Sequence, residues 1–366
     1  MTRLAVTEYA PDVASPPGET LLDLLDERGL SQSDLAERTA RPLKTINEII
    51  NGKAAITPQT AVQLERVLGV PARFWLNREA RYREHAARLE GNRSLDDQDG
   101  WLAELPIAEM LRLEWIERAA TRREQVAVCL AFFGVNTVAA WRTVYAQRQA
   151  SFRRSAAFAV NEGAVAAWLR QGEREAARLR CAPYDRTRFR ALLDRLRALT
   201  IEREPPTFVP RLQDECAKAG VAVVFVPAPH GTGASGAARW LRSDRALIQL
   251  SLRYRTNDHL WFTFFHEAGH ILLHNKRSGY LDGDGSEGAE EEAANRFAAD
   301  VLIPPAAARR LTALAKSEAA VKTFAHEVGV APGIVVGRMQ HDGLLPYGSR
   351  LNRLKVSYTW WVVSGP

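Results

Sequence analysis

Cysteine is scarce in this chain: Cys129, Cys181 and Cys216 are its only three in 366 residues. An odd number of widely spaced cysteines gives no basis for a disulfide framework or a cysteine zinc site, and it suits a reducing compartment. Each reads as a small buried hydrophobe. No uninterrupted apolar run reaches the roughly 18–20 residues that span a bilayer, so no membrane partner is expected. The opening residues, Met1-Thr-Arg-Leu-Ala-Val-Thr-Glu, have no apolar core of a secretory leader, and a cytoplasmic protein is expected. Neither sign of charge is in large excess. The net charge is +6 and the isoelectric point near 9.4, which permits a nucleic-acid partner without requiring one. A 46% hydrophobic and 25% charged composition fits a soluble globular protein, long enough for two or three domains.

What the chain does have is His266-Glu267-Ala268-Gly269-His270, set in the apolar run Leu260–His274. On a helix, histidines four apart project from one face, about 6 Å apart along the axis. Both rings can then reach one Zn²⁺. Glu267 sits one residue round the helix, placed to work on a water rather than to ligate. Buried histidines that merely bond to neighbours are the bland alternative. A polar trio on an otherwise aromatic and aliphatic face would be costly to bury without a shared partner.

Catalytic zinc normally takes three protein ligands and keeps a fourth position for water. Glu290, Glu291 and Glu292, in the helical stretch Gly288–Asp300, are the candidates for the third. Glu291 is preferred because Asn295, one turn on, falls on the same face and could fix a ligand histidine's tautomer from behind. Glu292 remains the alternative. The acidic run also complements a helix N-terminus. His274, four beyond His270, is placed behind the ligands, since a fourth protein ligand would close the site to water.

Residues 17–84 read as four or five short helices. Leu21, Leu22, Leu24 and Leu25 give the first an apolar face. Ser31-Gln-Ser-Asp34 is a capping-box start, and Thr39-Ala-Arg-Pro42 is a short turn before a second helix that stops at Gly52. These lengths match a helix-turn-helix. The 17–84 segment is neutral, yet Arg38–Lys53 carries +3 (Arg38, Arg41, Lys44 and Lys53 against Glu48). Charge therefore collects where phosphates would lie. Gln32, Arg41, Lys44, Thr45, Asn47 and Lys53 are the candidate DNA-binding residues.

The middle says least. Residues 86–204 look helical, with Asp96–Gly100 as a loop and Trp115, Trp141 and Trp168 on apolar faces. Arg178–Arg197 is strongly basic. Solvated faces with pairs such as Asp194–Arg197 are favoured there over further DNA contacts. Beyond Glu202-Arg-Glu-Pro-Pro206, a helix Arg211–Ala219 and strands Val221–Val226, Gly236–Leu241 and Ala246–Leu252 precede the histidine helix. An exposed edge of such a sheet could bind an extended peptide.

Two resemblances follow from these residues. Pro17-Gly18-Glu19, Gly29-Leu30-Ser31-Gln32, Leu35-Ala36, Asn51-Gly52-Lys53, Ile56-Thr57-Pro58, Ala61, Leu64-Glu65, Leu68-Gly69-Val70 and Phe74-Trp75-Leu76 resemble the HigA-like branch of Xre-type helix-turn-helix antitoxins and regulators. That implies a homodimer on palindromic double-stranded operator DNA. Gly236–Trp240, Asp258, Trp261-Phe262, Phe265–His274, Glu291-x-x-x-Asn295-x-Phe297-Ala298-Ala299 and Leu302-Ile303-Pro304 resemble the ImmA/IrrE family of zinc metallopeptidases over roughly residues 205–345. Ala293 departs from the pattern, because a second Glu commonly stands there, and it leaves the choice among Glu290 to Glu292 open.

The second resemblance assigns His266, His270 and the Glu291 position to zinc and Glu267 to general acid/base work. Tyr280 or His274 would help at the oxyanion, and His259 and Asp300 could shape the site. The expected fold is mainly α with a small α+β zincin domain. A helix-turn-helix bundle (1–85) would be followed by a helical middle (86–204). A short antiparallel sheet packed on the H-E-x-x-H helix would then lead into a helical tail (205–366). The expected function is a bacterial, cytoplasmic, nucleoid-associated regulator whose zinc endopeptidase cleaves a regulatory protein, repressor or toxin, on a signal. The alternative is a regulator or antitoxin whose zinc domain only senses or scaffolds.

Overall fold

The computed structural model describes residues 15–93, 95–145, 161–274 and 287–360. The chain divides into two compact units, Met1–Asp99 and Gly100–Pro366. Most of the expected middle segment therefore falls within the second.

The first unit holds α1 (Pro17–Glu27), α2 (Gln32–Thr39), α3 (Leu43–Ile50), α4 (Pro58–Leu68) and α5 (Ala72–Arg93). In α1, Leu21 and Leu25 are buried, while Leu22 and Leu24 are half-buried. Ser31 starts α2 as the expected capping box: its hydroxyl accepts from the Asp34 amide at 3.1 Å, and the Asp34 carboxylate accepts from the Ser31 amide at 2.8 Å. The helix ends at Ala40, whose φ of 52° lies in the left-handed region. Pro42 is the N-cap of α3. Gly18 lets α1 meet α3 closely, since a Cβ there would stand 2.1 Å from the Ile50 carbonyl oxygen. Leu21, Leu25, Leu35, Ile46, Ile49, Leu64, Leu68 and Trp75 form the core.

The second unit begins with α6 (Ile107–Arg112), α7 (Arg122–Phe133) and α8 (138–145). Asp96–Gly100, expected as a loop, instead opens a 3-10 helix, Asp96–Glu104. Among the described residues, Arg122–Tyr145 is the one helical stretch long and apolar enough to qualify for a bilayer crossing. Gly134, at φ 70°, splits it into α7 and α8. The Phe133, Trp141 and Tyr145 rings then pack on one another, with centroids 5.1–6.0 Å apart.

Next come α9 (Glu162–Arg178), α10 (Arg186–Arg197), α11 (Pro205–Ala217), β1 (Val221–Phe225), β2 (Gly236–Arg242) and β3 (Arg245–Leu250). They are followed by α12 (Asn257–Leu273), α13 (Glu287–Leu302), α14 (Pro305–Ala308), α15 (Glu318–Val328) and α16 (Pro332–His341).

The sheet is mixed rather than purely antiparallel, in the order β1-β3-β2. β2 and β3 form the expected hairpin, and β3 then lies parallel to β1. The hairpin reverses the chain once more, so β3 regains the direction of β1 and takes the central place. β2 is left at an edge. Ala246, Ile248 and Leu250 point into the core shared with Trp261, Phe264, Phe265 and Ala268 of α12. On the opposite face, Gln249 donates to the Trp168 carbonyl of α9 at 2.7 Å, and Trp168 donates to the Val226 carbonyl at 2.9 Å. The sheet thus lies between α9 and α12, as period-two alternation requires.

The basic helix α10 keeps Arg188 and Arg195 exposed, as expected, but three of its arginines also contact neighbouring elements. Arg186 donates to the Leu272 carbonyl at 2.9 Å, Arg197 to the Val301 carbonyl at 3.4 Å, and Arg190 stacks over Phe297 at 4.7 Å. Leu272 and Val301 lie in the last turns of α12 and α13, where unpaired carbonyls and the helix dipole favour cations. Neither a solvated face nor an Asp194–Arg197 pair describes Arg197. At the other end of α12, Asp258 and Lys355 form a buried ion pair at 2.6 Å.

Candidate metal centre

His266 and His270 share one face of α12, as their spacing dictates, and α13 crosses that helix beside them. Small residues allow the approach: a Cβ on Gly269 would stand 3.1 Å from the Phe297 ring and 3.3 Å from the Ala294 Cα. Glu291, in the first turns of α13, reaches both rings. Its carboxylate oxygens lie 3.3 Å from His266 Nε2 and 3.4 Å from His270 Nε2, and the two Nε2 atoms are 3.0 Å apart. Glu292 turns away to Arg296 at 2.8 Å, on the exposed side of the helix. Among the described residues, His266, His270 and Glu291 are the group able to hold a metal ion.

The residues present fit zinc. Ligands about 2.0–2.1 Å from a tetrahedral ion stand roughly 3.3 Å from one another. The three spacings here, 3.0, 3.3 and 3.4 Å, are close to that edge. Two imidazole nitrogens at 3.0 Å repel through their lone pairs unless a proton or a cation lies between them. Hydrogen bonds from His266 and His270 hold the Glu291 carboxyl far below the usual carboxylate range. Burial is the largest influence on His266 and opposes its protonation. The bond to Glu291 and the charges of Glu267 and Glu291 outweigh it and raise its pKa.

Behind the site, His274 Nδ1 stands 3.0 Å from His270 Nδ1. Burial, and next the neighbouring His270 charge, push His274 below its ordinary pKa. An ion held on His270 Nε2 would put that ring's proton on Nδ1, with His274 Nδ1 in place to accept it. Asn295 is exposed. Its side chain lies near enough to His266 to favour the ring's protonated form, behind the larger influences of burial, Glu291 and Glu267. The buried Nδ1 of His266 has no partner among the described residues.

Glu267 is 7% exposed. Burial raises its pKa above the carboxylate norm, against the pull of His266 and His270 and the small influence of the nearby Ala238 amide. Gly236 forms the floor beneath it: a Cβ there would stand 2.7 Å from Glu267 Oε1 and 2.5 Å from Thr263 Cγ2. The sequence pattern gives no role to Gly236 or Ala238 and none at helix ends to Arg186 or Arg197. The signal for Gly236 was a glycine opening a strand, which marks close approach. His259 stacks on Tyr254, with centroids 4.4 Å apart, near the start of α12. Asp300 is exposed on α13. Tyr280 lies outside the described residues.

In the first unit, Lys44, Asn47 and Lys53 are exposed, while Gln32, Arg41 and Thr45 are half-buried. Lys44 lies 3.9 Å from Glu48, and Arg41 Nε donates to Gln63 at 2.5 Å. A shallow depression of about 370 Å³ is lined by Leu43, Lys44, Asn47, Glu48, Asn51 and Lys53.

Comparison with known proteins agrees with both units. Residues 21–75 match the helix-turn-helix family, and residues 216–340 match the IrrE N-terminal-like domain. Over 61 residues the chain is 34% identical to an uncharacterized HTH-type transcriptional regulator, YddM, of Escherichia coli (strain K12), covering 17% of this chain and 65% of that protein. Over 59 residues it is 39% identical to virulence-associated protein A of Dichelobacter nodosus, covering 16% of this chain and 58% of that one. The chain thus spans less than two thirds of the length of either relative. Among solved structures, an addiction module antidote protein of a HigA family from Coxiella burnetii is 29% identical, with 23% of this chain and 92% of that chain covered and a TM-score of 0.21.

Proposed function

The chain joins a helix-turn-helix domain to an IrrE N-terminal-like domain, and from that premise we propose that it is a DNA-binding regulator carrying a zinc-dependent endopeptidase. The observation that carries the enzymatic half is the convergence of His266 Nε2, His270 Nε2 and the Glu291 carboxylate within 3.0–3.4 Å of one another, with the buried Glu267 on the same helix. Zinc held there supplies Lewis acidity and a water that is nucleophilic near neutral pH.

The chain's own residues do the rest. Glu267 takes the proton from the attacking water and returns it to the leaving amine nitrogen. Burial of its carboxylate, which raises its pKa, suits it to carry a proton in both directions. Extended substrate would lie along β2. The Ser251 amide donates to the Ser235 carbonyl at 2.9 Å, which sets the hydrogen-bonded alternation of the hairpin. Gly236 and Ala238 therefore turn their backbone groups away from β3, towards Glu267. The Ala238 carbonyl is placed to accept from a substrate amide, a mode that reads backbone more than side chains. His270 keeps its tautomer through His274.

The regulatory half rests on α3, whose exposed Lys44 and Asn47 and neighbouring Lys53 would meet double-stranded operator DNA. A homodimer on a palindromic site in the bacterial cytoplasm is the matching assembly. The protein partner is a repressor or toxin, cleaved on a signal. Purified protein loaded with zinc should hold one ion per chain and cut unfolded peptides. His270→Ala should lose both properties. Zinc binding without any turnover would leave a sensor or scaffold.

A further inference from the structure

We propose that Leu43 is a specificity-determining residue that reads a thymine C5-methyl group in the major groove. The inference rests on the DNA-binding reading above and deepens it. Leu43 is the first residue of α3 and is 44% exposed, whereas Ile46, Ile49 and Ile50 of the same helix are at most 7% exposed. An exposed leucine is ordinary in itself; its surroundings are not. It lies in one depression with Lys44, Asn47, Glu48, Asn51 and Lys53, all polar or charged, and the Lys44 side chain is 85% exposed. Leu43 is thus the apolar element of a polar face.

The first residues of a recognition helix are those that meet base edges. Base edges in the major groove offer donors and acceptors to polar side chains, and the thymine methyl is the apolar group they present. A leucine can make no hydrogen bond there. It gains only by covering that methyl, and it leaves a cytosine amino group or a guanine oxygen unpaired. Asn47, one turn on, carries the amide that pairs with adenine, and Lys44 and Lys53 are cations for the flanking phosphates. Leu43 therefore specifies T·A at one position of each half-site.

The test uses the full-length protein and a duplex selected by it from randomised DNA. Each thymine is replaced in turn by uracil, which removes only the methyl group. Wild-type binding should weaken about fourfold at one thymine per half-site, the scale of one buried methyl, and about fifteenfold when both half-sites are changed. Leu43→Ala should bind the thymine and uracil duplexes equally. Leu43→Arg should move the preference at that position towards G·C. Thermal unfolding that matches wild type shows that the variants are folded. Wild-type binding indifferent to every uracil, or a Leu43→Ala protein that keeps the uracil effect, overturns the proposal while leaving DNA binding intact. Failure to select any duplex with salt-steep binding overturns the DNA-binding reading beneath it.

Discussion

His270 and His274 face each other through their Nδ1 atoms at 3.0 Å, and burial pushes His274 below its ordinary pKa. With an ion on His270 Nε2, the His270 Nδ1 proton would be accepted by His274. Removing this contact with His274→Phe should weaken zinc binding about 10- to 100-fold, the range for lost support behind a metal ligand. His274→Asn, which keeps an acceptor, should recover much of the affinity. Chelator competition measures both. Equal affinities for wild type and His274→Phe would show that the contact does not matter.

Gly236 offers a separation of zinc binding from turnover. A methyl at this position would press on Glu267 Oε1 at 2.7 Å and on Thr263 at 2.5 Å. Gly236→Ala should hold zinc as wild type does and lose about 100-fold or more of peptide cleavage, the scale of a misplaced catalytic group. Full activity with full zinc would mean that Glu267 has freedom to shift.

The pH dependence follows from two opposite shifts. Glu291 is depressed below its ordinary 4.5, so its contribution to stability is present above pH 4.5 and is lost as pH falls through the folded value. His266 is raised above its ordinary 6.5, so its contribution is complete below pH 6.5 and is lost as pH rises through the folded value. Zinc-free protein should therefore gain most from this pair between pH 4.5 and 6.5. Zinc requires neutral rings, so its stabilising effect should grow from pH 5.5 to 8. Melting temperatures with and without zinc measure this. A zinc effect that shrinks with rising pH would contradict it.

In the first unit, Ala40 holds the turn between α2 and α3 at φ 52°, a region that strains residues with a Cβ. Ala40→Gly should stabilise this unit by about 0.5–1 kcal/mol, after the greater freedom of glycine in the unfolded chain is subtracted. Differential scanning calorimetry should show the gain. Destabilisation would mean that the turn tolerates alanine without strain.

Local rules made much of this legible in the sequence. Four-residue spacing placed His266 and His270 together, Ser31 and Asp34 marked a helix start, and alternating apolar residues marked β2 and β3. Contacts far apart in the chain were not legible. Asn295, one turn on, favoured Glu291 over Glu292 in the sequence; the distance from Glu291 to the two histidines follows from the crossing of α12 and α13 at Gly269, which no local pattern shows. Parallel pairing of β1 with β3 depends on a hairpin returning the chain, and period two is blind to direction. The arginines of α10 read as surface charge, which holds for Arg188 and Arg195, yet Arg186 and Arg197 also cap helix ends that lie 86 and 104 residues away.

Glu267 is proposed to perform proton transfer at a zinc centre built by His266, His270 and Glu291. Mass spectrometry of a mixed peptide library incubated with zinc-loaded wild type and Glu267→Gln tests it most directly, with bound zinc measured in the same samples. Both proteins should carry one zinc, and the glutamine variant should cleave about 10²- to 10⁴-fold more slowly. Equal cleavage by both, or no cleavage by a zinc-loaded wild type, would contradict the claim.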